Sequence, residues 1–394
     1  MTGVCSLRTP VFVKSSTLIV MKKSKTILSA IALALCTVAC QEKATQQEPE
    51  FWLGADISWA TEMEANGHKF YNYNGEEREC TALMKELGLN AVRLRVWVDP
   101  SAHGNWCNKE DLLVKCLRAK EQGMAIMVDF HYSDWWADPN KQNIPASWSG
   151  HSYEVMKQDL ANHTIEVPQF LKENGIEPKW IQVGNETRFG LLWSVKSNEW
   201  GWPELDENGQ TTITESMGHA IHNPEQYAGF IATGYEACKE VFPQSIVIVH
   251  LDNGFDRELY DWNIGLLRDN GVKWDMIGMS LYPYWAIEGG YRTDAETTIT
   301  DCIENIRYVS EKFDSDIMIV ETGFYVDEEQ PELLETGRQQ LARVIRESLN
   351  ETNGRCKGVF YWEPECKPSQ YRLGAFTEDG HPTVIMKAFS DWSE

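Results

Sequence analysis

Eight short apolar runs recur between residues 51 and 394, and each is followed by a segment with the apolar spacing of a helix. The runs are rich in Val, Ile and Met, which is typical of parallel strands covered on both faces. Segments such as LLVKCLRAKEQG (112–123) place apolar residues three and four positions apart and end at Gly, as amphipathic helices do. The eight runs are FWLGADI (51–57), NAVRLRVWV (90–98), MAIMVDFHY (124–132), KWIQVGNE (179–186), SIVIVHLDN (245–253), WDMIGMSLY (274–282), DIMIVETGF (316–324) and GVFYWEP (358–364).

Eight strand–helix units predict a single-domain α/β fold, a (β/α)8 TIM barrel over residues 51–394. A doubly wound open sheet is the competing architecture. The barrel is favoured because polar residues stand at the carboxyl end of nearly every run, and a barrel gathers those ends into the ring where its active sites lie. These residues are Asp56, Arg95, His131, Glu186, His250, Tyr282, Glu321 and Trp362.

The first 40 residues are predicted to be a leader. MKKSK (21–25) is a basic segment, and the apolar stretch TILSAIALALCTVA (26–39) that follows is too short for an ordinary membrane span. This is the pattern of a signal peptide, and Met21 is the expected true start. We expect residues 41–50, which are polar, to be a tether.

Cys40 follows Val38 and Ala39, as the lipidated cysteine of a bacterial lipoprotein does, although Thr37 stands where Leu is usual. The prediction is therefore an exported protein that is lipid-anchored to a bacterial outer membrane or cell surface, with no other membrane contact. The alternative is an ordinary signal peptide and free secretion.

The charge of the chain excludes some partners. The formal net charge is −23, and without the five basic residues of the leader the remainder stands at −28. Such a surface repels nucleic acid but not a neutral ligand. Trp occurs 16 times, and indole faces stack well on sugar rings. The seven cysteines after the leader form no CxxC pair, so we expect mostly buried thiols rather than a zinc site.

Glu186 and Glu321 are the predicted centre of the chemistry. They follow the fourth and seventh runs, so a barrel places both at its mouth on opposite parts of the ring. Two facing carboxyl groups suit cleavage of a glycosidic bond, in which one protonates the leaving oxygen and the other attacks the anomeric carbon. Their surroundings must then separate their pKa values.

The strand period of two refines this prediction. In NAVRLRVWV, Arg93, Arg95 and Trp97 share one face, and the opposite face is aliphatic and should meet the helices. The arginines are therefore expected inside the barrel, where they need carboxylate partners and where a cation would keep a nucleophilic Glu ionised. Asp129 and His131 share the equivalent face of the third run.

Four motifs carry a resemblance to a known family. Asn185-Glu186 and Glu321 resemble the signature of clan A glycoside hydrolases. Within that clan, RLRVWVDP (93–100), HYSDWWADP (131–139), WIQVGNET (180–187) and VHLDNG (249–254) resemble glycoside hydrolase family 53, the endo-β-1,4-galactanases. The resemblance runs from about Trp52 to Trp392, and HYSDWWADP is its most specific part.

The resemblance implies roles for individual residues. Glu186 would be the general acid/base and Glu321 the nucleophile of a retaining reaction, which requires carboxyl groups about 5–5.5 Å apart. Asn185 would bind the 2-hydroxyl of the sugar that is attacked. Arg93 would support the nucleophile, Trp362 would form a platform beneath the sugar, and Trp97 would form a second wall. The remaining predicted substrate-binding residues are Arg95, Asp56, Asp129, His131, Asp134, Trp135, His250 and Tyr282.

Some features depart from the family pattern. Some family members bind calcium through a loop rich in Asp, Asn and Gly after the seventh strand, and residues 325–337 lack that pattern. Calcium is therefore not expected, nor is another cofactor, and a monomer is expected. The long connection from Thr187 to about His222, which contains Trp193, Trp200 and Trp202, has no family motif. It is expected to be a wall over the barrel mouth or a structural cap.

Two alternatives to galactan hydrolysis stay open. Another retaining clan A enzyme would act on mannan or β-glucan, and residues outside the catalytic pair would decide between them. A non-catalytic surface protein that binds glycans commonly loses one carboxylate, and this chain has both.

Overall fold

The structure is a computed structural model that describes residues 51–198, 202–207, 209 and 211–392. The predicted signal peptide, Cys40, the tether and Trp200 lie outside the described residues. Within the described part, no helix combines the length and the apolar character needed to cross a membrane.

Eight parallel strands close into a barrel in which each strand pairs with its neighbours in chain order and the eighth returns to the first. The predicted (β/α)8 barrel is confirmed, and each predicted run contains one strand. The strands are β1 (Trp52–Asp56), β2 (Ala91–Val96), β3 (Ala125–Phe130), β4 (Trp180–Val183), β5 (Ile246–Leu251), β6 (Met276–Leu281), β7 (Asp316–Thr322) and β8 (Cys356–Trp362).

Helices follow the strands and cover the outside of the barrel. Several begin where the sequence supplies a cap: Asn108 accepts from the Asp111 N–H, and Asp294 accepts from the Thr297 N–H. The helices are α1 (Ala60–Ala65), α2 (Cys80–Glu86), α3 (Lys109–Glu121), α4 (Tyr153–Glu173), α5 (Pro224–Val241), α6 (Arg257–Asp269), α7 (Pro283–Glu288), α8 (Ala295–Phe313), α9 (Pro331–Asn350) and α10 (Ala388–Asp391). Short 3-10 turns span Pro100–His103, Ala146–Trp148 and Val384–Lys387.

The buried apolar residues form two separate clusters. The larger lies between the strands and the helices, and it contains Cys80, Cys116, Cys238, Cys302, Cys356 and Cys366. All seven cysteines of the described residues are buried free thiols. The smaller cluster fills the inside of the barrel with Ala91, Met127, Trp180, Ile248, Met276, Met318, Val320 and Phe360. Close packing there leaves no room for a side chain at Gly54, where a Cβ would lie 2.3 Å from the Phe360 ring.

The inward-facing residues change from apolar to polar toward the carboxyl ends of the strands. Met127 on β3 is followed two positions later by Asp129, and Trp180 on β4 is followed by Gln182. Asp129 pairs in register with Arg95 on one side and Gln182 on the other. The apolar interior closes one end of the barrel, so the polar side chains are held at the other.

The connection after β4 contains a two-stranded antiparallel ribbon, Ser194–Val195 with Ile213–Glu215. A second small ribbon, Phe70–Tyr71 with Glu77–Arg78, lies between α1 and α2. Trp193 is buried, whereas Trp202 is 53% exposed and borders the cleft at the barrel mouth. The connection therefore includes both buried packing, as a cap would, and a wall over the mouth.

Candidate active site

Arg93 lies at the centre of the polar network at the barrel mouth and is fully buried. Its Nη1 lies 2.8 Å from Asp56 Oδ2, and its Nη2 lies 2.9 Å from Asp129 Oδ2 and 2.8 Å from Glu321 Oε1. The Nη2 group also donates to Asn185 Oδ1 at 2.8 Å. One guanidinium thus joins side chains from β1, β3, β7 and the turn after β4, and it meets the need of a buried cation for carboxylate partners.

Glu321 reaches the cleft because β7 contains a bulge. The pairing of β6 with β7 skips Val320, so Met279 lies opposite Ile319 and Ser280 lies opposite Glu321. Val320 belongs to the apolar cluster inside the barrel, and strict alternation would turn Glu321 to the outside. The extra residue instead turns both inward, as bulges beside active sites do. Glu321 Oε2 then accepts a hydrogen bond from the Tyr282 hydroxyl at 2.9 Å.

Glu186 stands on a tight turn that ends β4. Gly184 has φ of +82° and Glu186 has φ of +46°, a region uncommon for a residue with a side chain. The turn aims both Asn185 and Glu186 into the cleft, and Gln142 donates to the Asn185 carbonyl at 2.8 Å. A carboxylate therefore follows the apolar strand because the chain reverses there and presents it at the barrel mouth.

A chain of neutral groups holds the Glu186 carboxyl group. The Glu186 N–H donates to His250 Nδ1 at 3.2 Å, so the proton of this ring is on Nε2, which lies 2.8 Å from Ser280 Oγ. The Ser280 hydroxyl in turn donates to Glu186 Oε1 at 2.7 Å. Burial lowers the pKa of His250 well below its ordinary value, and the nearby Arg93 and His131 add to this. The imidazole is therefore neutral.

The two glutamates have different electrostatic surroundings. Burial raises the pKa of Glu321 to about 7, while Arg93 and the Tyr282 hydroxyl oppose the rise. Burial also raises the pKa of Glu186 far above its ordinary value, and the charges of Glu321 and Asp252 add to the effect. Among the described residues no cation lies within ion-pair distance of Glu186. Arg93 thus makes Glu321 the more readily ionised of the two, whereas Glu186, which has no such partner in the described part of the chain, keeps its proton to higher pH.

Both glutamates line one cleft of about 740 Å³. Of the predicted site residues, Asn185, His131, Tyr282 and Trp362 line it with them. Asp56, Asp129, Arg93 and His250 lie beneath it and contact its lining through the network described above. His131 connects the two layers, because its Nε2 lies 3.0 Å from Asp129 Oδ2.

Arg95 and Trp97 do not reach the cleft. The Arg95 guanidinium is buried, bonds to Glu363, and lies 4.2 Å from the centre of the Trp136 ring and 5.3 Å from that of Trp59. Trp97 is 1% exposed and packs edge-on against Trp136. Trp135 and Trp136 pack against Trp97, so the Trp97 ring is covered by other indoles and does not line the cleft.

Asp134 and Trp135 border a neighbouring pocket that does not include the glutamates. Asp134 accepts from the Asp99 and Ala146 N–H groups, so it connects two loops, and Trp135 stacks on His103. Neither lines the cleft that contains the glutamates.

Residues that sequence reasoning missed make up much of the cleft. Trp59 and Trp136 lie edge-on to Trp362, with ring centres 5.4 and 5.8 Å away, and Tyr371 lies 4.7 Å away. Arg188 pairs with Asp252, and both border the cleft. Trp136 and Asp252 lie within recognised motifs, HYSDWWADP and VHLDNG, and this was the available signal. Trp59 and Tyr371 carried none.

The family model for glycosyl hydrolase family 53 matches residues 52–390. This chain belongs to that family. An "Uncharacterized protein in bgaB 5'region" of Niallia circulans is 32% identical over 361 residues, covering 85% of this chain and 88% of the relative.

Two further relatives have printed activities. The endo-β-1,4-galactanase of Bacillus subtilis (strain 168) is 26% identical over 375 residues, covering 89% of this chain and 78% of that protein. A solved fungal β-1,4-galactanase matches with a TM-score of 0.72 and 26% identity, covering 86% of this chain and 99% of the fungal one. The similarity therefore extends over the whole barrel and not over a single motif.

No group of three or more His, Cys, Asp or Glu side chains within the described ranges is arranged to hold a metal ion. The expectation that the chain needs neither calcium nor another cofactor stays a prediction.

Proposed function

We propose that this chain is an exported endo-β-1,4-galactanase that cleaves its polymer with retention of the anomeric configuration. The observation that carries the proposal is that Glu186 and Glu321 line one cleft, and that only Glu321 has a cationic partner among the described residues. The Glu321 carboxylate pairs with the Arg93 guanidinium, whereas the Glu186 carboxyl group accepts a hydrogen bond from the neutral Ser280 hydroxyl. Such a pair fits a nucleophile and an acid that act on the same glycosidic bond.

In the first step, the ionised Glu321 attacks the anomeric carbon while Glu186 gives its proton to the departing oxygen. The bond to the leaving sugar breaks as an ester to Glu321 forms, so the product is a covalent galactosyl-enzyme. Arg93 and the Tyr282 hydroxyl hold the attacking carboxylate in place.

In the second step, Glu186 is ionised and removes a proton from a water molecule that attacks the same carbon. The ester to Glu321 breaks, and the second inversion restores the original configuration. Ser280 and the neutral His250 keep the Glu186 carboxyl group oriented without adding a charge that would hold it ionised.

Trp362 and Asn185 position the sugar that is attacked. The half-buried Trp362 ring is fixed by Trp59, Trp136 and Tyr371, which supports its role as a platform. The Asn185 amide donates to the Ala137 carbonyl at 2.9 Å, and its Oδ1 accepts from Arg93. These bonds fix the side chain beside the cleft, where it meets the 2-hydroxyl.

Galactan is the proposed substrate because the similarity to named galactanases covers most of the chain. A neutral polysaccharide also suits a surface of strongly negative charge, which disfavours nucleic acid. A cleft rather than a closed pocket supports attack within a polymer. The predicted leader and Cys40 support export and a lipid anchor at a bacterial outer membrane or cell surface. The enzyme is proposed to act as a monomer.

The test measures reducing-sugar release from linear β-1,4-galactan, with mannan and mixed-linkage glucan as control substrates. The wild type is expected to release oligosaccharides from galactan alone, and proton NMR of the first product is expected to show the β-anomer. Glu321→Ala is the matched inactive variant. Absence of release by the wild type contradicts the substrate, equal release by Glu321→Ala contradicts the mechanism, and a first-formed α-anomer contradicts retention.

The anchor is tested separately by expression of the full chain and of Cys40→Ser in a Gram-negative host. The wild type is expected to partition with the membrane fraction after labelling with a fatty-acid analogue, and the variant is expected to lose the label. Equal labelling of both would contradict lipidation at Cys40.

A further inference from the structure

Trp202 borders the cleft that contains both glutamates, yet it belongs to the connection after β4 that has no family motif. We infer that Trp202 forms a separate sugar-binding subsite on the leaving-group side of the cleft, and that it gives the enzyme its preference for long chains over short ones. The inference rests on the proposed galactanase function and extends it to a residue that the reaction itself does not require.

The Trp202 backbone is held in place although its side chain is 53% exposed. The Trp202 N–H donates to Asn198 Oδ1 at 3.0 Å, and the Asn198 N–H donates to the Trp202 carbonyl at 2.9 Å. An antiparallel bridge joins Ser197 to Pro203 directly beside these bonds. A large apolar ring that is exposed and yet fixed is suited to bind a ligand.

One face of the Trp202 indole is supported from below. The Lys141 ammonium lies 4.6 Å from the ring centre, is only 2% exposed in its side chain, and is paired with Asp138. The cation therefore occupies one face of the ring by a cation–π contact. The contact leaves the opposite face of the ring without this cation, and since Trp202 lines the cleft and is half exposed, that face is available to a stacked sugar.

The topology of the barrel places Trp202 on the leaving-group side. β4 is four strands away from β8 in a ring of eight, so the connection after β4 starts across the mouth from Trp362. Trp362 is the platform for the sugar that is attacked, and Glu186, at the start of the same connection as Trp202, protonates the oxygen that departs. The departing chain is therefore inferred to leave past Glu186 on the β4 side, and Trp202 lines the same cleft from the connection that follows Glu186.

Polar side chains that line the same cleft as Trp202 supply partners for hydroxyl groups. Asp138 and Asn140, from the connection after β3, and Arg188, from the connection after β4, line the same cleft. An indole with neighbouring carboxylate, amide and guanidinium groups matches a neutral sugar, whose faces are apolar and whose edges carry hydroxyls.

The test compares Trp202→Ala and Trp202→Phe with Leu205→Ala, a control in the same connection at a residue that is 65% exposed and does not line the cleft. Two substrates are used: linear galactan, and a nitrophenyl β-1,4-galactobioside, whose leaving group contains no sugar. For Trp202→Ala, kcat/KM on galactan is expected to fall by about tenfold, and on the nitrophenyl substrate to stay unchanged. Trp202→Phe should recover part of the loss, and Leu205→Ala should match the wild type on both.

Equal loss on both substrates, or no loss on galactan, would overturn the subsite. A binding measurement separates its failure from that of the proposed function. Affinity electrophoresis in gels containing galactan compares Glu321→Gln with the double variant Glu321→Gln/Trp202→Ala, neither of which needs to turn over substrate. The double variant is expected to be retarded less, and equal retardation would exclude the subsite. Retardation in mannan but not in galactan would instead contradict the proposed substrate.

Discussion

The two sides of the active-site cleft hold the same residue type in contrasting ways. Glu321 is held by a regular strand with one bulge and contacts the fully buried Arg93. Glu186 stands on a turn with a left-handed backbone, and its carboxyl group accepts a hydrogen bond from the neutral Ser280 hydroxyl, while its N–H donates to the neutral His250 ring. The contrast teaches that surroundings alone can give two identical side chains different tendencies to ionise, which is the difference that a nucleophile and an acid require.

The largest expected effect comes from removing the nucleophile. Glu321→Gln keeps the shape of the side chain but cannot form the ester, so kcat on galactan should fall by about 10⁴-fold or more. The loss should be the same for substrates with good and poor leaving groups, since no alternative attacks the anomeric carbon. The measurement is kcat on galactan and on a dinitrophenyl galactobioside, and a loss confined to galactan would place the nucleophile elsewhere.

The corresponding substitution at Glu186 should slow the first step only on substrates whose leaving group needs a proton. Glu186→Gln removes the proton donor, so kcat/KM on galactan should fall by about 10²–10⁴-fold. A dinitrophenyl leaving group departs without a proton, so formation of the galactosyl-enzyme should proceed nearly as in the wild type. A pre-steady-state burst of dinitrophenol followed by slow turnover is expected. If both substrates lose activity equally, with no burst, Glu186 is not the acid.

Ser280→Ala tests the hydrogen bonds that connect Glu186, Ser280 and His250, and its effect on activity should be smaller. The Ser280 hydroxyl lowers the pKa of Glu186 by its hydrogen bond, so its removal should raise that pKa further. The alkaline limb of kcat/KM, where the acid loses its proton, should move to higher pH, and activity at the optimum should fall by about tenfold. Ser280→Thr, which retains a hydroxyl, is the control. An alkaline limb that stays or moves down contradicts the assigned chain.

The smallest effect concerns stability. The pKa of buried Glu186 is raised on folding, so the folded state binds more protons than the unfolded one above the ordinary glutamate pKa, and stability falls as pH rises from there. Glu186→Gln removes this penalty and should raise Tm at pH 8 by about 2 °C. The gain should vanish below about pH 4, where the carboxyl is protonated in both states. Thermal unfolding across pH measures this, and a lower Tm at pH 8 would contradict it.

The barrel and the meeting of Glu186 and Glu321 at one cleft were accessible from sequence because both depend on repeated local patterns. Eight buried runs, each followed by a helical segment, specify the closed sheet, and the barrel then fixes where strand ends meet. Arg93 was predicted inside because period-two alternation holds in β2. The same alternation, counted from the inward-facing Met318, predicts that Glu321 points outward. It fails because no residue type in the sequence indicates the bulge at Val320.

The aromatic residues in and around the cleft were not predictable from local sequence patterns. Trp135 and Trp136 are adjacent in a loop, and no period determines which of them meets the cleft. Trp97 follows the face of β2 that the alternation predicted, yet other indoles cover it. Tyr371 follows Trp362 in the connection after β8, whereas Trp59 comes from the connection after β1, and only the closed ring brings Trp59 to Trp362. Such packing depends on distant parts of the chain.

Trp202 and the ammonium that supports it belong to separate connections, one after β4 and one after β3. Transferring the β4 connection alone into a relative would therefore supply the indole without the Lys141 ammonium, and the ring would be free to adopt other rotamers. A chimera intended to lengthen the reach of another enzyme of this kind has to move Lys141 and Asp138 along with it.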